Sequence, residues 1–526
     1  MPPSIPLGAY RKDYMFLSVR NIYRLFRIAR TLARHDALFS LEQLGVAKGL
    51  ILPLRLLTRQ IRDGRAGERL SRAMEELGPS FIKLGQALST RSDLIGEEVA
   101  SDLSQLQDHL APFPASYAKA AIEQELEVEL EDLFKEFENQ PLAAASIAQV
   151  HLAVTSEGKE VAVKILRPGI ETAFKKDIEL FFWVAELIEH THPDLRRLKP
   201  VEVIRKFQET TVVEMDLRLE AAAAEEMENN FRGDPTFKVP SVDWRRTAQR
   251  VLTLERVHGV PIDERELLVK QGFNPNEILA RAATALFKQV FRDGFFHADQ
   301  HPGNLFVGKQ GEIIAVDFGI MGRLDKPTRR YLGEMLMSFL NRDYSRVAEV
   351  HFEAGYVPSH KSVEAFTQAC RAIGEPILDR PQGEISIARL LAQLFQITKN
   401  FEMETQPQLL LLQKTMLVAE GVGRKVAPDS NFWFLAHPLI ERWMAENMGT
   451  EALVAETVGE VTEGLRKIPR MLSNMEQNTA AMARSGIKLH PNTIQRLGHS
   501  TAPRWYKSSR LYIAAITILT IALFLA

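Results

Sequence analysis

The spacing of apolar residues changes at one place in this 526-residue chain, and that change limits the folds open to it. Residues 20–135 carry apolar side chains every three or four positions, which is typical of helices. Residues 147–154 and 160–166 instead alternate apolar and polar side chains around a polar turn, which predicts two paired strands. Strand-like runs recur at 250–255 and 311–317, and helical spacing recurs at 174–189, 201–229, 278–293 and 328–476. A small sheet inside a large helical body predicts an α+β fold.

The composition excludes several classes of protein. Apolar residues make up 45% of the chain and charged residues 25%, which is typical of a globular protein and not of a disordered, collagen-like or multi-span membrane chain. The 65 basic and 67 acidic residues nearly balance, so no nucleic-acid partner is expected. A single cysteine, Cys370, excludes both a disulfide framework and a cysteine-based metal cluster within one chain.

The two ends of the chain suggest contact with a membrane. Residues 11–34 hold seven basic residues and one acidic residue, which predicts either a helix on an anionic membrane surface or an ordinary solvated basic face. A mitochondrial transit peptide is a further alternative. Residues 511–526 are 16 residues without a charge, directly after a basic stretch. They predict a C-terminal transmembrane segment that leaves the rest of the chain in the cytoplasm, with a buried core helix as the alternative.

One set of polar residues predicts a site for a metal and phosphates. Lys164 lies in the second predicted strand, and the loop His297-Ala-Asp299-Gln-His-Pro-Gly-Asn304 precedes Asp317-Phe-Gly at the end of a later strand. Protein kinases place a strand lysine, an Asp five residues before an Asn, and Asp-Phe-Gly in this order. We therefore expect Lys164 to hold nucleotide phosphates and Asp299 to orient the attacking group. Asn304 and Asp317 offer the oxygen ligands that Mg²⁺ prefers.

Three features differ from ordinary protein kinases. The loop Ala143-Ala144-Ala145-Ser146 stands where a glycine-rich loop is expected; alanine keeps the backbone N–H groups for phosphate but not the access to positive φ. Ala298 replaces the arginine beside the catalytic Asp, and no Ala-Pro-Glu motif follows Asp317. Because that motif belongs to the segment that grips peptide substrates, the sequence argues against phosphorylation of other proteins.

Further motifs resemble those of the UbiB family of atypical kinases, the bacterial relatives of the mitochondrial coenzyme Q8 protein. Lys83-Leu-Gly-Gln86 matches the K-x-G-Q motif of that family, and Leu106-Gln-Asp108 follows it. The alanine-rich loop and Glu214-Met-Asp216, an E-x-D motif, are family motifs as well. The resemblance runs from about residue 20 to the C-terminal segment.

The resemblance implies a bilobal, atypical protein-kinase-like fold of the α+β class, with a helical N-terminal extension, a helical C-terminal region and a membrane tail. We expect four parts. Residues 1–135 are the extension with the K-x-G-Q motif, 136–258 the N-lobe, 259–500 the C-lobe with its helical region, and 501–526 a basic linker and the transmembrane segment.

The resemblance also implies roles for residues that spacing alone would leave as surface charges. Glu220, six residues after Glu214, is expected to pair with Lys164 in the ATP site, next to the alanine-rich loop. The K-x-G-Q helix is expected to cover the site through Lys83 and Gln86, which share a helix face. Glu214 and Asp216 belong to the same cover, but two residues apart on a helix they cannot face the same way, so one alone is expected to reach phosphates or metal.

The function implied is that of a membrane-associated, Mg²⁺- and ATP-dependent kinase or ATPase that supports ubiquinone biosynthesis. ATP turnover would give access to prenylated phenol precursors, or organise the enzymes that modify them, at the bacterial inner membrane. The expected partners are ATP, inner-membrane lipids, these precursors and other ubiquinone-synthesis enzymes. Two alternatives stay open: a nucleotide-binding pseudokinase scaffold, and a kinase of a small molecule or lipid.

Overall fold

The structure, a computed structural model, describes residues 14–37, 63–89, 95–104, 106, 111–191, 199–378, 397, 400–403, 406–430 and 432–448. Within these residues the chain combines a small sheet, two smaller sheets and many helices. The α+β class is therefore confirmed. The sheets and the helices that frame the candidate site lie in the unit Met1–Met444.

The described part of the N-terminal extension is helical. It contains α1 (Tyr14–Arg34), α2 (Ala66–Leu77), α3 (Pro79–Ser89) and α4 (Glu97–Ser104). Helix α3 carries the K-x-G-Q motif and packs closely on α2: a Cβ atom at Gly85 would lie 2.5 Å from Met74 Sδ. Phe81 and Ile82 on α3 are buried in the same core. The glycine of the motif therefore has a packing reason, since a side chain would push the two helices apart.

The N-lobe is built on an antiparallel sheet of five strands within the described residues, in the order β1-β3-β4-β6 with β2 on β3. The elements in chain order are α5 (Ala115–Leu126), α6 (Leu130–Leu133), β1 (Phe134–Phe137), β2 (Ala143–Ala144), β3 (Ala148–Thr155), β4 (Glu160–Leu166), α7 (Ile170–Thr191), α8 (Pro200–Glu214), α9 (Leu217–Asn230) and β6 (Val251–Glu255). Val161, Val163 and Ile165 on β4 are buried together. Because side chains alternate along a strand, Lys164 lies on the opposite face of the sheet.

The C-lobe is mainly helical. Its helices are α10 (Arg265–Lys270), α11 (Pro275–Phe287), α12 (Lys326–Leu340), α13 (Tyr344–Glu353), α14 (Val363–Leu378), α15 (Pro407–Val426) and α16 (Phe432–Met448), and a π-helical turn, Lys288–Asp293, extends α11. The short strands are β5 (Phe237–Lys238), β7 (Val260–Pro261), β8 (Phe295–His297), β9 (Leu305–Val307), β10 (Ile313–Ala315) and β11 (Met321–Arg323). They form the sheets β5-β10-β9-β7 and β8-β11. One apolar core joins them to α11, α15 and α16.

Several expectations about secondary structure are corrected. The predicted helix 201–229 is two helices, α8 and α9, which break at Met215 and Asp216; the Asp216 side chain accepts a hydrogen bond from Arg218 N and so caps α9. The strands of two to four residues at β1, β2, β5, β7, β8, β9 and β11 are not predicted by the sequence, because so few residues show no period.

The predicted location at a bacterial inner membrane through a single C-terminal transmembrane segment is also corrected. No helix of the described part of the chain is long and apolar enough to cross a bilayer, so that prediction is not supported. Residues 511–526, on which it depended, lie outside the described residues.

Candidate active site

Three charged side chains from distant parts of the chain meet in the cleft. Lys164 Nζ on β4 lies 2.8 Å and 2.9 Å from the two carboxylate oxygens of Glu220, in the first turn of α9. The same ammonium lies 3.0 Å from Asp317 Oδ1, two residues after β10. These contacts join a strand of the N-lobe to the C-lobe. The two predicted ATP-site residues, Lys164 and Glu220, and the predicted metal ligand Asp317 thus lie in direct contact.

The ionisation of the three groups is coupled. Burial lowers the pKa of Lys164, but the neighbouring carboxylates outweigh burial and hold that pKa above its ordinary value. Burial and the nearby Asp317 raise the pKa of Glu220 to about 7, although the Lys164 charge opposes them. For Asp317, the Lys164 charge overcomes the effect of burial and holds the pKa below its usual range. Asp317 is therefore an ionised carboxylate at neutral pH, and half of its side chain remains accessible.

The backbone of Asp317 is in an unusual conformation. Its φ is +62°, in the left-handed region that residues other than glycine seldom adopt. A hydrogen bond of 2.9 Å from Val316 N to Asn304 O holds the preceding residue beside the polar loop. Such a conformation costs on the order of 1 kcal/mol or more, and it persists where the surrounding structure imposes it, often at functional sites.

The loop from His297 to Asn304 is held by internal hydrogen bonds. His297 Nε2 lies 3.0 Å from Val316 O, and Nδ1 accepts a bond of 3.1 Å from Asp299 N, so the ring is neutral with its proton on Nε2. Burial lowers the pKa of His297, which favours this neutral form. Asn304 Nδ2 donates to Asp299 O at 3.0 Å. His297 therefore braces the loop from both sides.

The C-terminal helix α15 contacts this loop at two consecutive residues. Lys414 Nζ lies 3.6 Å from Asp299 Oδ1, and the buried Thr415 hydroxyl lies 3.2 Å from Ala298 O. The one proton of this hydroxyl is shared with Leu411 O, in the preceding turn of α15, at 2.9 Å. His301 Nε2 lies 3.8 Å from the other Asp299 carboxylate oxygen. Neither Lys414 nor Thr415 is predicted by the sequence, because a helical period gives no sign of which loop the helix will meet.

The alanine-rich loop is a paired hairpin. Ala143 and Ala144 pair with β3, and Ala145 N donates to Ala148 O at 2.8 Å. Arg167, just after β4, donates to Ala145 O from Nε and a terminal nitrogen at 3.2 Å and 3.0 Å. Ser146 is fully buried. The loop thus has a defined backbone, anchored by an arginine that the sequence motifs do not include.

The residues predicted to cover the site contact different partners. Lys83 Nζ on α3 lies 3.2 Å from Glu214 Oε2 at the end of α8. Gln86 Nε2 donates to Leu106 O at 3.4 Å, which joins the K-x-G-Q motif to the next motif along the chain. Asp216 caps α9 and forms an ion pair with Arg218 at 2.7 Å. Glu214 and Asp216 thus have different partners, and Glu214 is the one that contacts helix α3.

The donor atoms of Asn304 and Asp317 fit a hard divalent cation. Asn304 donates through Nδ2, so its amide oxygen is the atom left to accept or to ligate. Asp317 is ionised and partly accessible. One carboxylate with one amide oxygen suits Mg²⁺, which takes few protein ligands and completes its octahedron with water and phosphate oxygens.

Comparisons with known proteins agree with this geometry. The family model of the ABC1 atypical kinase-like domain matches residues 105–351, and that of the UbiB helical domain matches residues 370–431. A Marinobacter nauticus protein named probable protein kinase UbiB is 42% identical over 460 residues, 86% of this chain and 84% of its own length. A Pseudomonas aeruginosa protein of the same name is 39% identical over 505 residues, 94% of this chain and 91% of its own length.

A solved structure supports the same assignment. The Mycobacterium tuberculosis protein Rv3197, solved in complex with erythromycin, superposes with a TM-score of 0.52 at 25% sequence identity. The match covers 69% of this chain and 93% of that protein. The lysine–glutamate–aspartate contact and the polar loop agree with these relatives. The chain belongs to the UbiB family of atypical kinases.

Proposed function

We propose that this protein binds Mg²⁺–ATP and transfers the γ-phosphoryl group to water, and that this ATPase activity supports ubiquinone biosynthesis. The observation that carries the proposal is the contact of Lys164 with both Glu220 and Asp317, with Asp317 in the left-handed conformation. A surface ion pair would not need a strained backbone, whereas a metal–phosphate site needs these groups at fixed positions.

Each residue of the site has a distinct role in this proposal. Lys164, held by Glu220, binds the α- and β-phosphates, and the alanine-rich loop (143–146) offers the phosphate chain those backbone N–H groups that its hairpin leaves open. Asn304 and Asp317 hold Mg²⁺, which neutralises phosphate charge when it is bound. Lys164 would then be shared between Glu220 and the phosphates, in place of its present contacts with both Glu220 and Asp317.

Asp299 orients the attacking water. The water oxygen forms a bond to the γ-phosphorus with its own electron pair, and the bond between that phosphorus and the bridging oxygen breaks, leaving its electron pair on ADP. The water proton passes to the Asp299 carboxylate and then to solvent. Most of the acceleration comes from positioning and from neutralised charge, since phosphoryl transfer requires little covalent chemistry from the protein.

Water is favoured over a protein as the acceptor because of helix α3. Lys83 attaches this helix to Glu214 at the end of α8, and α9, which carries Glu220, begins directly after α8. We infer that the helix lies over the site. A covered cleft suits a small acceptor. We propose that the turnover drives access to prenylated phenol precursors or organises the enzymes that act on them.

The test is Mg²⁺-dependent phosphate release from ATP by the full-length protein, together with ATP affinity by calorimetry. Asp317→Asn is the main variant: asparagine tolerates a positive φ, so the substitution removes the charge without changing the backbone preference. Asp132→Asn, at an exposed aspartate on α6, is the matched control. We expect the site variant to lose turnover by about 100-fold or more and the control to keep it.

Two results would contradict the proposal. ATP binding without any turnover by the wild-type protein would favour a nucleotide-binding scaffold. Turnover that appears only when a prenylated phenol is added, with the phosphate recovered on that phenol, would favour a small-molecule kinase. Inclusion of a soluble prenylated phenol analogue in the assay distinguishes these outcomes.

A further inference from the structure

Helix α15, in the helical region that follows the kinase motifs along the chain, brings a lysine to the polar loop. Lys414 lies 115 residues after Asp299 in the chain, yet its Nζ is 3.6 Å from Asp299 Oδ1. The next residue, Thr415, is fully buried, and its hydroxyl lies 3.2 Å from Ala298 O, the carbonyl directly before Asp299. Two consecutive residues of one helix thus contact two consecutive residues of the polar loop.

The apolar packing of α15 fixes how the helix meets the loop. Leu412, Val422 and Val426 on α15 are buried in the same core as Ala298 and Phe318. Rotation of α15 would expose this apolar face, so the position of the Lys414 backbone is set by the core and not by the lysine itself. The ammonium is therefore delivered to Asp299 by a rigid element.

The geometry suits a group that orients the Asp299 carboxylate but leaves its oxygens able to accept a proton. At 3.6 Å the contact is longer than an ordinary hydrogen bond, so it is a charge contact that leaves Oδ1 able to accept a proton from a nucleophile. The other neighbour, His301, accepts a bond from Gly303 N at Nδ1, and its Nε2 lies 3.8 Å from Oδ2. Among the described residues that pair with Asp299, Lys414 is the one that brings an ammonium group.

We propose that Lys414 is a positioning residue for phosphoryl transfer: its ammonium holds the Asp299 carboxylate toward the attacking water, so that helix α15 completes the active site. This inference rests on the proposed ATPase function. Lys414 acts through Asp299, and it takes no part in binding the nucleotide. Its side chain is 47% exposed, so its contact adds little to folding stability. The effect of its removal should thus be seen in kcat.

The experiment measures steady-state ATP hydrolysis and ATP affinity for full-length Lys414→Met, Lys414→Arg and a control. Lys425→Met is the matched control, because Lys425 is also on α15 and also pairs with an aspartate, Asp263, at 3.1 Å. We expect Lys414→Met to lower kcat by about 10- to 100-fold, as for a misplaced catalytic group. ATP affinity and KM should stay within about threefold. Lys414→Arg should recover most of the loss, and the control should match the wild type.

A double-mutant cycle separates positioning from a general structural effect. In an Asp299→Asn background, Lys414→Met should lower the remaining kcat by less than about threefold, because residues that act as one unit are not additive. An equal loss in both backgrounds would overturn the inference, as would a normal kcat for Lys414→Met beside an active wild type. If the wild type itself shows no turnover, the proposed function fails and this inference fails with it, which is a distinct result.

Discussion

Lys83 Nζ and Glu214 Oε2 lie 3.2 Å apart, with only 14% and 15% of their side chains exposed. The pair joins α3, in the N-terminal extension, to the end of α8. Because both charges are largely removed from water, their attraction is screened less than that of an exposed pair. We therefore expect this contact to hold α3 in place against α8.

This ion pair predicts energetic coupling between Lys83 and Glu214. In a cycle of Lys83→Met, Glu214→Gln and the double variant, we expect a coupling energy of about 1 kcal/mol for local opening of α3. Hydrogen exchange of the α3 amides measures it, since exchange reports local opening.

The chain offers a closely matched control for that cycle. Lys206 and Glu209, also on α8, lie 3.2 Å apart but are 76% and 57% exposed. Their coupling should be near zero, because exposed pairs contribute little. Equal coupling for the two pairs would show that burial of the Lys83 contact has no energetic consequence.

The contact of Glu220 with Lys164 leads to a second prediction, which concerns ATP affinity in the presence of Mg²⁺. Glu220→Gln removes one of the two carboxylates that share the Lys164 ammonium, so Lys164 should bind more tightly to Asp317, the proposed metal ligand. We expect ATP affinity in the presence of Mg²⁺ to fall by about tenfold, equivalent to about 1.4 kcal/mol. The measurement is calorimetric titration with and without Mg²⁺.

The control for Glu220 lies on the same helix. Glu226 on α9 pairs with Arg323 at the surface, and Glu226→Gln should leave ATP affinity unchanged. Affinity that stays constant in Glu220→Gln, or that falls equally in both variants, would contradict the proposed role of Glu220.

The bonds of Arg167 to the alanine-rich loop lead to a third prediction, which concerns the local stability of that loop. Its guanidinium donates to the carbonyls of Ala145 and Ala111 and lies over the Phe113 ring, 5.5 Å from the centroid. Arg167→Ala removes all three contacts. We expect faster hydrogen exchange in residues 143–148 and ATP affinity lowered by several-fold, about 1 kcal/mol.

A conservative variant and a control refine the Arg167 test. Arg167→Lys should be intermediate, because an ammonium lacks the planar fork that bridges two carbonyls. Arg281→Ala removes a comparable bond, from Arg281 to Gln310 O at 2.9 Å, and should leave loop exchange unchanged. Unaltered exchange in Arg167→Ala would show that pairing with β3 alone holds the loop.

The sequence predicted the parts of the site that follow a local rule. Lys164 lies on a strand whose alternation is visible, and the buried Val163 and Ile165 beside it turn its side chain to the opposite face. Asp299, Asn304 and Asp317 stand at spacings that protein kinases share. The contact of Lys164 with Glu220 came from family resemblance, since 56 residues separate them and no period spans that distance.

Other parts of the site depend on tertiary packing and left weaker signals. The break between α8 and α9 has a local cause in Asp216, a favourable N-cap residue, but the apolar period continues through it and favours one helix. Lys414 and Arg167 belong to no motif, because their partners are carbonyls and a carboxylate that only the folded chain brings near them.

The buried histidines lead to a fourth prediction, which concerns the loss of folding stability at acid pH. His151 is fully buried; Nδ1 lies 2.8 Å from Glu138 O, and Nε2 lies 2.7 Å from Gln149 Nε2. The ring must therefore donate at Nδ1 and accept at Nε2, and a second proton would set two donors against each other. Burial lowers the pKa of His151, as it does those of His297 and His351.

The sign of the pH dependence follows from these lowered values. In the unfolded chain each histidine gains a proton below about pH 6.5, whereas the folded protein keeps the ring neutral. The unfolded state then binds more protons, so stability falls as pH falls below about 6.5, by up to about 1.4 kcal/mol per pH unit for each histidine. The stabilisation is fully present above that pH.

Thermal unfolding between pH 7 and pH 5 tests this for His151. The variant His151→Gln should be less stable than the wild type at pH 7 but should lose less stability on acidification, because one titrating group is gone. His190→Gln, at an exposed histidine on α7, should keep the wild-type pH dependence. If His151→Gln and the wild type lose the same stability between pH 7 and pH 5, His151 is protonated in the fold, and the neutral ring inferred from its hydrogen bonds is wrong.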